Sequence, residues 1–163
     1  MDANAFRITH VVDESKDLAD VANLFRAYAE SLGIDLTFQD FSTELASLPG
    51  KYGAPKGVLL LARNNQYEAV GCVGLRPLPE PRYCEIKRLY VSPQGRGSGL
   101  GRVLAERVVH EAKAIGYEAM RLDTLPQMSA ARSMYKSLGF REVEPYYRSP
   151  LEGSIFLELT LNS

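Results

Sequence analysis

Residues 91–101 read Val91-Ser92-Pro93-Gln94-Gly95-Arg96-Gly97-Ser98-Gly99-Leu100-Gly101, with four glycines at alternate positions. A strand-like apolar segment precedes this loop, and the clearest helical pattern of the chain follows it. Glycines leave backbone N–H groups exposed, with no Cβ atom to keep a ligand away. The first turn of a helix adds unpaired N–H groups and the positive end of its dipole. We therefore predict an anion site suited to phosphate, with Arg96 and Arg102 as further positive charge.

Two common phosphate-binding motifs do not account for this loop. A dinucleotide-binding fingerprint, G-x-G-x-x-G, that begins at Gly97 needs a glycine where Arg102 stands. One that begins at Gly95 needs a glycine where Leu100 stands. The G-K-S/T of a Walker loop does not occur in the sequence. From the residues alone, the alternative to an anion site is a plain tight turn or a flexible linker.

Outward from the loop, the apolar spacing predicts one sheet with helices packed on it. Helical spacing covers residues 18–32, 38–48 more weakly, 100–115 and 131–138. Strand-like segments cover residues 6–12, 58–62, 69–75, 84–91, 117–122, 140–143 and 155–161. Hairpins come first and a strand–helix–strand unit follows, so we expect an α+β (mixed α/β) domain around one sheet.

Composition narrows the class of protein. A chain of 163 residues with 45% hydrophobic residues can form one domain, 1–163, without disulfides. Its 19 basic and 20 acidic side chains give a net charge of −1, so we expect neither nucleic acid nor a membrane as partner. Two cysteines, Cys72 and Cys84, form no disulfide framework and no zinc site. With no signal peptide evident, we expect a cytoplasmic protein; the oligomeric state is left open, a homodimer included.

A second motif follows the loop after about 40 residues. The loop, Gln94-Gly95-Arg96-Gly97-Ser98-Gly99, fits the pattern Q/R-x-x-G-x-G/A. The second motif, Ala131-Arg132-Ser133-Met134-Tyr135-Lys136-Ser137-Leu138-Gly139-Phe140, fits A-x-x-L/M-Y-x-x-x-G-F. In this order and spacing, the two motifs resemble the GCN5-related N-acetyltransferase (GNAT) superfamily, whose first pattern binds the cofactor's pyrophosphate. Many relatives carry asparagine seven residues before the tyrosine, where this chain has Met128, so that contact is not carried over.

The resemblance implies a fold and a reaction. The fold would be GNAT-like, with a central, mostly antiparallel twisted sheet of six to seven strands and about four flanking helices. The reaction would transfer an acetyl group from acetyl-CoA directly to a primary amine of a small molecule or protein, without a metal. A backbone N–H of Leu89 or Tyr90 would donate to the oxyanion. The implied cofactor-binding residues are Leu89, Tyr90, Val91, Gln94, Arg96, Gly97, Ser98, Gly99, Leu100 and Gly101.

Tyr135 is the candidate general acid. The superfamily's tyrosine at this motif position lies near the cofactor sulfur, and a phenol with a reference pKa of about 10 stays protonated at neutral pH. The alternative is an ordinary core tyrosine, because Tyr135 shares a helical face with Ala131, Met134 and Leu138. The resemblance favours the catalytic role.

Glu85 is the candidate general base, acting on the amine through a water. Strand alternation puts Glu85 on one face with Lys87, Leu89 and Val91 unless a bulge intervenes, and the alternative is a solvated or ion-paired residue. Asp123, at the end of the next strand, is a weaker candidate. His10 and His110 are poor candidates because of their places in the first strand and the long helix.

Acceptor recognition is expected from the parts least like the superfamily. These are the N-terminal helices with Tyr28 and Phe38, and the segment Pro145-Tyr146-Tyr147-Arg148-Ser149-Pro150. The tyrosine pair of this segment fits a pocket lining and a rigid connection between strands equally well. Asp35, Asp40 and Glu44 offer some negative charge for an amine. Two other functions stay open: a non-catalytic domain that binds or senses acyl-CoA, and an unrelated α+β protein that binds a phosphate ligand.

Overall fold

A computed structural model describes residues 6–13, 15–33, 40–149 and 151–161. The strands within these ranges are β1 Arg7–His10, β2 Val58–Arg63, β3 Ala69–Pro77, β4 Tyr83–Val91, β5 Ala119–Thr124, β6 Arg141–Val143 and β7 Ile155–Thr160. The α-helices are α1 Ser15–Leu32, α2 Phe41–Ala46, α3 Leu100–Ile115 and α4 Ser129–Ser137. Every predicted strand and helix is present with slightly moved ends. The helix predicted over 38–48 is the short α2, and residues 38 and 39 lie outside the described ranges.

Within the described residues, the seven strands form one sheet in the order β1-β2-β3-β4-β5-β7-β6. The neighbours are antiparallel except β4 and β5, which run parallel because α3 carries the chain back between them. The expected α+β fold with a mostly antiparallel sheet is confirmed.

Alternating apolar residues let both faces of the sheet bury a layer of helices. On one face, Leu60 and Ile86 pack with Leu104 and Val108 of α3. On the other face, Leu59 and Leu61 pack with α1, for example with Phe25, which is fully buried. Burial of each such side chain contributes about 1.5–3 kcal/mol. Two packed layers therefore fix the central strands from both sides.

A β-bulge interrupts β4 at Arg88, which adopts a left-handed backbone with φ of 61°. The register with β3 shifts at the same place, between Cys72 and Gly74. The bulge turns Leu89 and Val91 toward the α3 face, while Glu85 stays on the opposite face. The alternation that would place all three on one face therefore does not hold beyond Lys87.

Bonds to α2 hold the bulge in place. The Arg88 guanidinium donates through Nε and Nη2 to the two carboxylate oxygens of Glu44, at 3.0 and 3.1 Å. The Tyr52 hydroxyl donates to the same carboxylate at 3.1 Å. Because the Arg88 side chain is 3% exposed, this ion pair is a buried one.

None of the helices in the described ranges combines the length and the apolar character that crossing a membrane requires.

Candidate active site

A cleft opens where β4 and β5 stop pairing. The two strands pair only over Tyr83–Glu85 and Ala119–Arg121, so that residues 86–91 of β4 and 122–124 of β5 have no bridge between them. A narrow cavity of about 70 Å³ occupies this gap. It is lined by both strands, by α4 and by Tyr28 of α1. An extended ligand arm that enters here can pair with the unpaired strand edge as an added strand does.

The glycine-rich loop stands at the end of β4, next to this cleft. Gly97 and Gly99 have φ angles of 82° and 81°, and a Cβ atom added at either would meet nothing within 4 Å. Both glycines therefore face open space in a conformation that other residues adopt at a cost. Gly95 differs, since a Cβ there would lie 3.0 Å from Val91 Cγ1. Gly95 serves packing, whereas Gly97 and Gly99 leave room for a ligand.

Backbone N–H groups converge on that open space. The first bond into α3 runs from the Val103 N–H to the Gly99 carbonyl at 3.1 Å. The bonds among the described residues include no acceptor for the N–H groups of residues 97–102. These donors and the start of the 16-residue helix α3 are what an anion site requires, as the sequence predicted for this loop.

The side chains of the loop mainly brace it. Arg96 Nε donates to the Val91 carbonyl at 3.0 Å, and Ser98 Oγ donates to the Gly95 carbonyl at 2.6 Å. Gln94 is exposed in a short 3₁₀ turn, Pro93–Gly95. Tyr90 packs toward α1. Of the predicted cofactor residues, Arg96 and Ser98 therefore use side-chain bonds within the loop, and the side chain of Tyr90 is used in packing.

Tyr135 lies at the wall of the cleft, as Leu89 does. Its ring packs edge-on against Phe140 at 5.4 Å between centroids, which fixes the ring within the core. None of the side-chain hydrogen bonds between the described residues includes its hydroxyl. Burial, together with Tyr28 and Asp123 nearby, raises the pKa of Tyr135 well above its usual value of 10. The hydroxyl is thus a protonated donor that no other described residue engages.

Two carboxylates stand beside the cleft, and tyrosine hydroxyls bind both of them. The Tyr146 hydroxyl donates to Glu85 Oε2 at 2.5 Å, and the Tyr147 hydroxyl donates to Asp123 Oδ2 at 2.7 Å. Glu85 also accepts from Arg76 Nε at 2.9 Å. Asp123 lines the cleft with Tyr135, whereas Glu85, 2% exposed, lines a neighbouring cavity.

That neighbouring cavity, called here the acceptor cavity, has a volume of about 460 Å³. Its charged lining consists of Arg76, Glu80, Glu85, Lys87, Arg121 and Arg148. Lys87 lines the cleft as well, and its Nζ lies 3.5 Å from Asp123 Oδ1. The cleft and the acceptor cavity therefore meet at Lys87, which lines both, and Tyr146 and Tyr147 line the cavity, one of the two roles that the sequence left open for them.

Several predicted contributors lie elsewhere. Glu44 is bound to Arg88 and Tyr52, so its charge is not free to attract an amine. Asp40 lines a separate cavity beside α2. Asp35 and Phe38 lie outside the described residues. Both histidines are remote from the cleft lining, and His10 pairs with Glu111 at 3.1 Å.

Both thiols are fully buried away from the cleft lining. The Cys84 thiol donates to the Ala119 carbonyl at 3.5 Å, and the Cys72 thiol donates to the Arg88 carbonyl at 3.3 Å. Burial raises the pKa of Cys84 to about 12 and the pKa of Cys72 further. Such thiols stay protonated and are poor nucleophiles. In the described part of the chain, no three His, Cys, Asp or Glu side chains are arranged to hold a metal ion.

The sequence did not predict that Lys87 lines both cavities and pairs with Asp123. It also did not predict that Tyr146 and Tyr147 bind the carboxylates of Glu85 and Asp123. Lys87 and Asp123 are 36 residues apart, and Glu85 and Tyr146 are 61 apart. The parallel pairing of β4 with β5, which places Glu85 opposite Arg121, brings Lys87 near Asp123, and the segment after β6 brings Tyr146 to Glu85. The only earlier signal was that the tyrosines occur as a pair in a proline-bounded segment.

A family model and similar proteins both relate this chain to acetyltransferases. The model of the acetyltransferase (GNAT) family matches residues 18–140. An uncharacterized N-acetyltransferase of Schizosaccharomyces pombe is 41% identical over 147 residues, 90% of this chain and 90% of that protein. The N-acetylaspartate synthetase of Danio rerio is 32% identical over 139 residues, 79% of this chain and 49% of that protein.

A solved structure shares the fold. The structure of yncA from Salmonella typhimurium, determined with its cofactor acetyl-CoA, superposes with a TM-score of 0.72 at 22% identity. The match covers 98% of this chain and 95% of that chain. The two proteins therefore share the same fold over almost the whole of this chain.

Proposed function

The chain belongs to the acetyltransferase (GNAT) family, and we propose that it transfers the acetyl group of acetyl-CoA directly to a primary amine. One observation supports the proposal: the hydroxyl-bearing side chain of Tyr135 lines a cleft beside β4, and the loop that follows β4 has backbone N–H groups without acceptors among the described residues. The pairing of an anion cradle with a positioned proton donor favours an enzyme over a domain that only binds the cofactor.

The residues fit acetyl-CoA. The N–H groups of residues 97–102 would hold the pyrophosphate, in the space that a Cβ at Gly97 or Gly99 would fill. The free edge of β4, residues 86–91, would pair with the pantetheine arm. When bound, acetyl-CoA supplies an acetyl group activated as a thioester. A related fold binds the same molecule in the yncA structure, which supports this assignment.

In this proposal, the backbone of the bulge and Tyr135 act on the reacting groups. The N–H of Leu89 or Tyr90 donates to the carbonyl oxygen on which negative charge develops. The Tyr135 hydroxyl gives its proton to the departing sulfur. Its raised pKa keeps the proton on the phenol until that moment.

Glu85 is proposed to remove the proton of the attacking amine through a water, with Asp123 as the alternative. Glu85 lines the acceptor cavity and Asp123 lines the cleft. The two carboxylates therefore lie on opposite sides of Lys87, where the cleft and the cavity meet. Neither thiol lines that place, which supports direct transfer rather than an acetyl-cysteine intermediate.

An amine screen tests the function. The purified protein is mixed with acetyl-CoA and single amines: amino acids, polyamines, aminoglycosides and peptides with free N-termini. Free thiol and the acetylated product are both measured. We expect thiol release that depends on the amine, with product equal to thiol. A protein that binds CoA but releases no thiol with any amine would support the non-catalytic alternative instead.

A further inference from the structure

The acceptor cavity has an uneven charge, and this bears on the amine that the proposed reaction uses. Four cationic side chains line it against two carboxylates, those of Glu80 and Glu85. A ligand in the cavity therefore meets more guanidinium and ammonium groups than carboxylates. This balance contrasts with the whole chain, whose net charge is −1.

The carboxylates near the cavity are already occupied. Glu85 accepts one bond on each oxygen, from Arg76 and Tyr146. Asp123 is engaged by Lys87 and Tyr147, and Glu80 pairs with Arg121 at 2.6 Å. A polycationic amine would need free carboxylates to replace its lost hydration. Among the described residues, the cavity offers it none.

One cation stands apart from these pairs. Arg148 is exposed, lines the acceptor cavity and follows directly after the Tyr146–Tyr147 pair. No ion pair of the described residues includes it. The bonds from Tyr146 to Glu85 and from Tyr147 to Asp123 tie its segment to β4 and β5. A guanidinium on a tethered segment can bind a carboxylate with two parallel bonds.

We propose that the acceptor is a free amino acid, or a similarly small amine, whose own carboxylate is bound by Arg148. This rests on the proposed function. The amine would then point to the Lys87–Asp123 end of the cavity, where the cleft begins. A volume of about 460 Å³ is within the range of small-molecule sites. Peptide N-termini lack the adjacent free carboxylate and fit this arrangement less well.

Matched pairs of probes test the proposal. Each amino acid is compared with its C-terminal amide, which keeps the amine and the side chain, removes the carboxylate and resembles a peptide N-terminus. We expect kcat/KM to be higher for the acid by about tenfold or more with the best amino acid. In Arg148→Gln, we expect this ratio to fall toward 1, mainly through a higher KM for the acid.

Arg107→Gln is the control, because Arg107 is a partly exposed arginine of α3 that does not line the cavity. It should keep the ratio of the wild type. Equal or faster use of the amides or of spermidine, or an unchanged ratio in Arg148→Gln, would overturn this inference and leave the acetyltransferase intact. No thiol release with any amine, in a protein shown to bind CoA, would overturn both.

Discussion

Tyr135 is the residue on which the proposed chemistry depends most. Its hydroxyl makes no hydrogen bond with another described residue, so Tyr135→Phe removes a proton donor and breaks no such bond. We expect kcat to fall about 10² to 10⁴-fold, with CoA affinity and melting temperature nearly unchanged. Turnover and thermal unfolding are measured on one preparation. A folded variant with kcat within about threefold of the wild type would remove Tyr135 from the mechanism.

The pH dependence of the reaction rate in two variants distinguishes Glu85 from Asp123 as the general base. If Glu85 is the base, Glu85→Gln lowers the rate strongly near neutral pH and much less at high pH, where the amine is already neutral. A purely structural loss, from leaving Arg76 without its partner, would be similar at all pH values. Asp123→Asn is the matched comparison. Recovery at high pH in Asp123→Asn alone would assign the base to Asp123.

At the scale of elements, the role of the loop before α3 can be tested by comparing glycines at the two ends of that helix. Gly99 and Gly116 lie at the two ends of α3, both with positive φ and both with open space for a Cβ. Gly99→Ala and Gly116→Ala should therefore suffer similar backbone strain, about 1 kcal/mol each. Only Gly99 lies in the proposed anion site. Valine at position 99 would block the site too, but it would add strain.

Titration calorimetry with CoA measures the difference between the two variants. We expect Gly99→Ala to weaken CoA binding by about tenfold or more, equivalent to 1.4 kcal/mol or more, and Gly116→Ala to leave it unchanged. Equal affinities in two folded variants would show that this loop does not hold the pyrophosphate.

The ion pair between α2 and the bulge predicts a loss of stability. Glu44→Ala leaves the buried Arg88 guanidinium without its carboxylate, which costs about 3–5 kcal/mol. Glu106→Ala is the comparison, because Glu106 pairs with Arg102 on the exposed side of α3 and should contribute below about 1 kcal/mol. Urea unfolding gives both values. A loss below about 1 kcal/mol in Glu44→Ala would mean that the pair does not hold the bulge.

For the whole molecule, local sequence patterns predicted more of the fold than of the site. The order of elements follows from spacing within short segments, whereas the loop at 94–99 and Tyr135 are singled out by two short motifs and by the family that these motifs resemble. The bulge at Arg88 could not be predicted, because it depends on how β4 pairs with β3 and on a bond to α2. The Tyr146–Glu85 bond likewise joins two side chains that are 61 residues apart in the sequence. Sequence patterns relate residues that are close along the chain, whereas the acceptor cavity is lined by residues that are far apart in the sequence.

Hydrogen–deuterium exchange with and without CoA tests the central claim, that the gap between β4 and β5 and the adjoining loop hold the cofactor. Amides of residues 97–102 and of the free β4 edge, 86–91, would gain partners on binding. The account predicts that CoA slows exchange most in these two segments and leaves α1 nearly unchanged. The account would be contradicted if CoA bound and slowed exchange only in other segments, with no change in residues 86–91 and 97–102.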